Sequence, residues 1–254
     1  MKEILMNRLT WVEYQGRVRE ERAPVYLPVG ALEQHGPHLP LGTDAMLAAA
    51  VAEGAAGETA GLAAPALAYG YKSQPKCGGG QHFPGTTSLD AQTLAHTVRD
   101  AIREFARHGV EKLVIVNGHY ENQWFLIEGI DLAMRELGGR TSLTIMRMEY
   151  WDFLTPATLA KVFPDGFPGY ALEHAAVIET SMMLHYHPEL VRLDRIPSDP
   201  PADFPPYDIY PTRTGWVPPS GVLSSAKAAT VEKGKAMAAE VSGLIAKAVR
   251  KEYA

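Results

Sequence analysis

Two short segments of the chain each carry a glutamate and a histidine two residues apart. Glu33 and His35 follow one apolar run, and His119 and Glu121 follow another. In extended backbone, residues i and i+2 point to the same side and lie about 6.6 Å apart along the chain. Each segment can therefore direct two ligand atoms into one pocket. A fifth candidate ligand, Asp44, stands at the start of an alanine-rich stretch.

Two imidazoles and three carboxylates are a poor set for a structural zinc ion, which usually takes four ligands, often thiolates. They fit a site for two cations about 3.5–4 Å apart, with one carboxylate bridging them. Asp44 is short and stands outside both pairs, so it is the natural bridge. Zn or Mn accepts such a mixture of imidazole and carboxylate. The competing interpretation of each His/Glu pair alone is a solvated loop or a helix cap.

Apolar runs that alternate with helical periodicity must position these side chains. The predicted strands are 25–29, 113–116 and 143–148, with a further apolar run at 62–68, and the predicted helices are 46–56, 94–105, 124–137 and 177–184. A final helix is expected after Ser224 and Ser225, which offer an N-cap. This alternation implies right-handed βαβ units and a parallel sheet. Ligands of such sheets bind beyond the carboxyl ends of the strands, where both His/Glu segments lie.

The composition limits the class of protein. The 254 residues predict a single domain over 1–254. The 24 basic and 29 acidic residues give a net charge of -5, which argues against a general nucleic-acid binder. The single cysteine, Cys77, excludes an intrachain disulfide and a cysteine-rich zinc module. No secretory signal or bilayer-spanning run is evident, so we expect a cytoplasmic protein without membrane partners.

Three other segments carry weaker signals. Residues 197–219 contain eight prolines in 23 residues together with several aromatic residues, which predicts an ordered arm that covers a neighbour or an active site. The glycine-rich stretch 77–87 lacks Gly-Lys-Ser/Thr and is therefore not a nucleotide P-loop. Glu173, His174 and Glu179, considered alone, are interpreted as polar residues on the surface of a helix.

Taken together, these segments resemble the creatininase family, the creatinine amidohydrolases. Residues 33–40 with Thr43 and Asp44 are similar to the first metal motif of that family, and residues 117–122 are similar to the second. The resemblance covers nearly the whole chain, because it continues through 69–74, 82–90, 128–132, 150–153, 204–208 and 223–227.

The resemblance implies a three-layer α/β/α sandwich with a central, mostly parallel sheet, assembled as a homohexamer. It also implies two divalent metal ions per subunit, Zn, Mn or both. One metal is expected to bind Glu33, Asp44 and His119, and the other His35, Asp44 and Glu121. Asp44 would then bridge the two ions, as the spacing of the residues also indicates.

The resemblance further implies the residues that contact a small-molecule substrate. The candidates for these contacts are Cys77, Tyr120, Trp151, Tyr170, Ala171 and His174. Trp151 corresponds to an aromatic flap residue. His174 and Glu121 are the catalytic candidates, with His174 as the general acid that protonates the departing nitrogen.

The implied activity is reversible hydrolysis of the ring amide of creatinine to creatine, by attack of a hydroxide that bridges the metals. Two departures from the family pattern leave the substrate open. The family has Trp-Asp where this chain has Tyr170 and Ala171, and Ser where it has Cys77. The alternative is therefore a hydrolase of another cyclic amide, a lactone, a formamide or a cyclic ketone. A third hypothesis is a non-catalytic assembly protein that keeps the metal motif as a structural staple.

Overall fold

A single parallel sheet forms the centre of the computed structural model, which describes residues 2–74, 76–77 and 80–253. The strands are β1 (Val25–Val29), β2 (Leu62–Ala63), β3 (Lys112–Asn117) and β4 (Thr144–Glu149). Their spatial order is β2-β1-β3-β4, and all three neighbouring pairs are parallel. The predicted parallel sheet is thus confirmed.

Seven α-helices occur within these described ranges. They are α1 (Trp11–Gln15), α2 (Thr43–Glu58), α3 (Ala91–His108), α4 (Gln123–Leu137), α5 (Pro156–Val162), α6 (Val177–Tyr186) and α7 (Val231–Glu252). Helix α3 ends at Gly109, whose φ of 93° lies in the left-handed region, as expected of a glycine just after a helix. The sequence predicted α2 from its alanine content, and it also predicted α3, α4, α6 and a final helix that corresponds to α7. Helices α1 and α5 are too short for a periodic pattern to reveal them.

The sheet is covered on both faces, which explains why its central strands are continuously apolar. Val25 and Leu27 of β1 pack in the same buried cluster as residues of α3 and α4. Tyr26, one position along the strand, packs with residues of α2, α6 and α7. In β3, Ile115 joins the first cluster and Val114 the second. The helices therefore form two outer layers, and the predicted three-layer α/β/α sandwich is confirmed.

The register of the sheet sets where the chemistry can take place. β1 and β3 pair from Val25 with Leu113 to Val29 with Asn117, so both strands end at the same level. The segments that follow them therefore leave the same edge of the sheet side by side. This places the two predicted ligand pairs close to each other.

The apolar run 62–68 forms a strand over only its first two residues. Only Leu62–Ala63 pairs regularly with β1. Pro65 follows and has no backbone N–H to donate. Contact with β1 resumes beyond it, where Leu67 N donates to Pro28 O at 3.0 Å. The run therefore follows β1 along its length without forming a continuous ladder.

The predicted cap of the last helix is wrong. The N-cap of α7 is Thr230, whose side chain accepts a hydrogen bond from Lys233 N at 3.2 Å. Ser224 and Ser225 lie six and five residues earlier, in a segment of bends and turns. An N-cap must directly precede the first helical residue to reach the free N–H groups, so these serines are too far away.

The proline-rich arm, 197–219, contains no α-helix or strand, as predicted, and only one short 3₁₀ turn, Thr214–Trp216. It is ordered by specific contacts. Ala202 N donates to Leu223 O at 2.9 Å, and the rings of Tyr207 and Trp216 meet edge to face with centroids 6.1 Å apart. Among the described helices, none combines the length and apolar character that crossing a bilayer requires.

Candidate active site

Two glycines bring the ends of β1 and β3 against the first turn of α2. A Cβ atom on Gly30 would lie 2.3 Å from Ala45 N, and one on Gly118 would lie 2.4 Å from Asp44 O. Both distances are too short for any side chain, so only glycine permits this close approach. The contact places Asp44 between the two ligand segments. Its carboxylate is also favoured there by the dipole at the N-terminal end of the helix.

Asp44 contacts both predicted imidazole ligands. Its Oδ1 lies 2.9 Å from His35 Nε2, and its Oδ2 lies 2.9 Å from His119 Nδ1. The three residues are at most 3% exposed. Asp44 thus stands between two imidazoles with one oxygen facing each, the position that the sequence predicted for a bridging carboxylate.

Backbone carbonyls orient the two imidazole rings. His35 Nδ1 lies 3.1 Å from the carbonyl oxygen of Glu33, and His119 Nε2 lies 2.9 Å from that of Tyr71. Each ring donates an N–H to its carbonyl, which leaves the opposite nitrogen facing Asp44. Outer hydrogen bonds of this kind commonly fix the tautomer of metal-binding histidines.

Three further carboxylates surround this centre. Glu33 Oε1 lies 3.4 Å from His119 Nδ1, and its Oε2 accepts a hydrogen bond from Ser73 Oγ at 2.5 Å. Glu121 Oε2 lies 3.4 Å from His119 Nε2. Glu179 Oε1 lies 3.7 Å from His35 Nε2, on the other side of Asp44.

The electrostatics of the cluster favour bound positive charge. Burial by itself lowers the pKa of His35, but Asp44 and Glu179 outweigh burial and hold this pKa well above its ordinary value. The pKa of His119 is raised in the same way, with Glu33 and Glu121 opposing the effect of burial. Burial also opposes ionisation of Asp44, but the two imidazoles lower its pKa. The Asp44 carboxylate is therefore ionised and draws cations, protons or metal ions, to this site.

The nitrogen and oxygen atoms of the cluster are placed better for binding metal ions than for hydrogen bonding to one another. Three groups each bring their ligand atoms within 4.8 Å of one another: Glu33, Asp44 and His119; His35, Asp44 and Glu179; and Glu33, His35 and His174. Among the described side chains, His35 Nε2 and Asp44 Oδ2 are buried without a properly directed hydrogen bond, despite their short contacts. This is the geometry of ligand atoms that face a shared cation.

Glu121 lies beside His119 but outside the three groups of candidate ligand atoms. In the described residues Glu179 joins His35 and Asp44. The expectation of extended backbone at 119–121 is wrong, because Tyr120–Asn122 forms a 3₁₀ turn. The turn nevertheless keeps the side chain of Glu121 against His119. Its assignment as a ligand of the second metal stays a prediction.

The interpretation of Glu173, His174 and Glu179 as helix-surface residues is wrong. Glu173 is 8% exposed, and the side chains of His174 and Glu179 are 13% and 12% exposed. All three line the cavity above Asp44. No signal in their local sequence reveals this, since the 3₁₀ turn Tyr170–Leu172 and the loop after it redirect the chain into the site.

A cavity of about 400 Å³ opens above the cluster. All of the predicted substrate contacts line it: Cys77, Tyr120, Trp151, Tyr170, Ala171 and His174. The arm reaches the same cavity through Asp208, which pairs with Lys76 at 3.6 Å. Asp208 of the arm therefore borders the cavity, and the covering role of the arm stays a prediction.

Aromatic rings form one side of the cavity. Tyr120 and Trp151 are stacked with ring centroids 6.3 Å apart, and Tyr150 meets Trp151 edge to face at 5.2 Å. Tyr170 Oη donates a hydrogen bond to Trp151 O at 2.9 Å. This arrangement offers a flat, water-poor surface to a small planar molecule.

His174 lies between the metal-binding cluster and the open cavity. Its Nε2 donates to Gln34 O at 2.9 Å, and its Nδ1 lies 3.5 Å from Glu33 Oε1. The ring packs against that of His35, with centroids 4.4 Å apart. The imidazole is thus held in one orientation beside the carboxylates.

The thiol of Cys77 is not a nucleophile in this setting. Burial, followed by the carboxylates of Glu121 and Glu33, raises the pKa of Cys77 well above its ordinary value. The thiol is therefore protonated at neutral pH. Gly78 and Gly79 of the predicted glycine-rich stretch lie outside the described residues.

The family profile described as "Creatininase: Creatinine amidohydrolase" matches residues 7–249. The chain belongs to the creatininase family. It is 49% identical over 255 residues to the creatinine amidohydrolase of Pseudomonas putida, an alignment that covers 99% of this chain and 98% of the relative. The family resemblance inferred from the sequence is thereby confirmed.

Solved structures of the family match along the whole length. One titled "Creatininase Mn" aligns with a TM-score of 0.96 and 50% identity over 99% of both chains. A mutant creatininase complexed with creatine aligns with a TM-score of 0.95 and 49% identity, again over 99% of both chains. Within this family, the Asp44 cluster and the aromatic cavity are the features of this chain that can carry chemistry.

Proposed function

We propose that the chain is a metal-dependent amidohydrolase that opens the ring of creatinine to give creatine, reversibly. The observation that carries this proposal is Asp44, which lies between two buried imidazoles at the base of an aromatic cavity. The relative from Pseudomonas putida is a creatinine amidohydrolase, and a similar solved structure holds creatine. A small, flat ring compound suits a cavity of this size and lining.

The donor set assigns two divalent cations, Zn or Mn, to the site. Glu33, Asp44 and His119 would hold one of them. His35 and Asp44 would hold the other, with Glu179 as the third ligand in the observed geometry and Glu121 as the third ligand predicted from sequence. Such a pair of cations supplies Lewis acidity, which polarises a carbonyl oxygen and makes water nucleophilic at neutral pH.

The residues of the chain then have distinct tasks. Hydrolysis forms a bond between a water oxygen and the ring carbonyl carbon, breaks the C–N bond and moves one proton to the nitrogen. Glu121 lines the cavity and accepts a proton from the attacking water. His174, whose ring is held by Gln34, delivers a proton to the departing nitrogen. Tyr120 and Trp151 bind the flat ring and exclude bulk water.

The proposal is tested by interconversion assays on purified protein of known metal content. We expect the metal-loaded protein to convert creatinine to creatine and creatine to creatinine. Chelation should abolish both activities, and re-addition of Zn or Mn should restore them. A loaded protein that is inert toward both compounds would refute the proposal.

The second candidate is hydrolysis of a different cyclic amide, a lactone, a formamide or a cyclic ketone. It is favoured by Cys77, Tyr170 and Ala171, the departures from the family pattern, which all line the cavity. The same assay run on a panel of these compounds separates the two candidates. Preferential turnover of another ring compound would select this one.

We also propose that 1–254 is one domain, that the chain assembles as a homohexamer and that it works in the cytoplasm. Five large apolar side chains on the described helices α1 and α4 are exposed, which supports assembly: Trp11, Val12, Trp124, Ile127 and Met134. Sedimentation should give a mass near six times 27.7 kDa, and a monomer would contradict the assembly. The single cysteine, Cys77, supports a reducing compartment.

A further inference from the structure

Glu173 is a buried carboxyl group to which the proposed mechanism gives no role. It follows the 3₁₀ turn Tyr170–Leu172 and is 8% exposed. Its Oε2 accepts a hydrogen bond from Ile178 N at 2.8 Å, at the start of α6. Its Oε1 is buried and has no hydrogen-bond partner in the part of the chain that the structure describes. One half of the carboxyl group is therefore satisfied and the other is not.

The unsatisfied oxygen belongs to a residue that lines the cavity, beside His174 and Ala171. Other buried side-chain atoms without a partner, in the described ranges, lie in the Asp44 cluster or on residues that do not line this cavity, such as Arg17 and Ser242. Burial raises the pKa of Glu173 to about 8; the N–H groups of Ile178 and Val177 oppose this rise, and the Glu179 carboxylate adds to it. Buried acceptors without donors are uncommon in proteins and call for an explanation.

A ligand that brings an N–H group into the cavity would supply the missing donor. The substrate of the proposed reaction carries such groups at one end, in its guanidino portion, and an amide carbonyl at the other. The carbonyl must face the Asp44 cluster, where the chemistry takes place. The guanidino end then needs acceptors in the cavity, and Ala171 offers none on its side chain.

We infer that Glu173 is a substrate-binding residue whose Oε1 accepts a hydrogen bond from the guanidino group of the substrate. This inference rests on the proposed function and adds to it the group that recognises the guanidino end. It also explains why half of a buried carboxyl group is left without a donor. The other half, bound to Ile178 N, holds the side chain in position.

The test replaces Glu173 by glutamine, an isostere that separates binding from structure. In Glu173→Gln the amide oxygen can still accept from Ile178 N, which turns the NH₂ group toward the cavity. A donor would then face the N–H groups of the substrate. We expect the KM for creatinine and the Kd for creatine to rise about 10- to 100-fold, the effect of leaving a buried N–H donor without its acceptor. The kcat should change much less, and the metal content should stay the same.

Kinetics, calorimetric titration with creatine and metal analysis are run on the metal-loaded enzyme. Glu240→Gln is the matched control, because Glu240 binds Thr155 away from the cavity and its loss should leave KM unchanged. If Glu173→Gln folds poorly, Glu173→Asp keeps the carboxyl group but withdraws its oxygen from the cavity, and it should weaken creatine binding with metal content intact.

An unchanged KM and Kd in a folded, metal-loaded Glu173→Gln variant would overturn the inference. A parallel loss of metal and kcat without a change in Kd would also overturn it, since it would indicate a purely structural role. A wild-type protein that neither binds creatine nor hydrolyses creatinine refutes the proposed function itself. The two failures are therefore distinguishable.

Discussion

The base of the cavity and its side differ in how the fold holds them. We call Glu33, His35, Asp44 and His119 the floor, and Tyr120, Trp151, Tyr170 and Ala171 the wall. The floor residues are at most 3% exposed; Asp44 stands in the first turn of α2, and the others stand in the segments that follow β1 and β3. The wall residues stand on three 3₁₀ turns, and Tyr120 is 51% exposed.

The difference shows which part of the site can vary. Clustered charges are stable only where burial, hydrogen bonds and counter-charges are all fixed, so the floor depends on regular elements. The apolar wall acts on a ligand through its shape alone. Single substitutions on a turn can change that shape without unfolding the protein. The differences from the family pattern at Tyr170 and Ala171 lie in the wall. The floor keeps the glutamate, aspartate and histidines of the family's metal motifs.

The largest effect should come from the centre of the floor. In Asp44→Asn both imidazoles lose their shared carboxylate, so neither cation site keeps its ligands. We expect metal content to fall below one ion per subunit and activity to drop by roughly 10³-fold or more, the scale of losing a key electrostatic group. Metal analysis and kcat measurements check this. Normal metal content with full turnover would show that Asp44 is not the bridge.

A pair of variants tests whether Glu179 or Glu121 is the third ligand of the second cation and so belongs to the floor. If Glu179 is the third ligand of the second cation, Glu179→Gln should lower metal affinity by at least about 10- to 100-fold, the cost seen even for outer ligands. Glu121→Gln should keep both ions and lose kcat. Metal titration of the two proteins side by side decides between them. The reverse result would restore the ligand set predicted from the sequence.

The close packing beneath the floor can be broken by a single methyl group. In Gly118→Ala the added carbon would lie 2.4 Å from Asp44 O, a backbone atom that cannot move alone. We expect the free energy of unfolding to fall by about 1–3 kcal/mol, as in other overpacked sites. The matched control is Gly57→Ala in α2. A Cβ atom on Gly57 would meet no atom within 4 Å beyond its neighbours and its own helix backbone, so alanine there should stabilise by up to about 1 kcal/mol. Equal melting temperatures for both variants would contradict this account.

The pH dependence of stability should distinguish metal-free from metal-loaded protein. Burial lowers the pKa of His35 and His119, but the carboxylates outweigh it and raise both values in the metal-free fold. A raised pKa stabilises the fold below the unfolded pKa, and this stability is lost as pH rises through the folded pKa. Bound metal ions replace the extra protons on the imidazoles of His35 and His119, because only a neutral imidazole can bind a metal ion.

We therefore expect the Tm of metal-free protein to fall relative to that of loaded protein as the pH rises above about 6.5, the ordinary pKa of histidine. Calorimetry with and without chelator measures this gap. If the difference in Tm between loaded and metal-free protein narrows as the pH rises, the carboxylates do not raise the pKa of these two histidines.

The smallest effect should come from the wall. Tyr170→Phe removes the hydrogen bond from Tyr170 Oη to Trp151 O and leaves the ring in place. We expect KM to rise by about two- to tenfold, the range for one neutral hydrogen bond. Metal content and Tm should stay close to wild type. A loss of bound metal in this variant would mean that wall and floor are not separable.

Much of this protein was predictable from local sequence signals. Apolar runs predicted β1 and β3, and three- and four-residue periodicity predicted α3, because the apolar patterns of these elements are regular. The pairs Glu33 with His35 and His119 with Glu121 follow strands, and the carboxyl ends of parallel strands meet at one edge. Together with Asp44, the floor could therefore be predicted before any contact was known.

Only the tertiary structure decided the rest. Glu173 and Glu179 enter the site because the turn and loop before α6 redirect the chain, and short irregular segments have no periodic pattern to predict from. The cap at Thr230 and the 3₁₀ turn at Glu121 were missed for the same reason. Helices and strands can be predicted because apolar residues recur at regular intervals along the chain. The positions of particular ligand oxygens and nitrogens depend on packing between residues far apart in sequence.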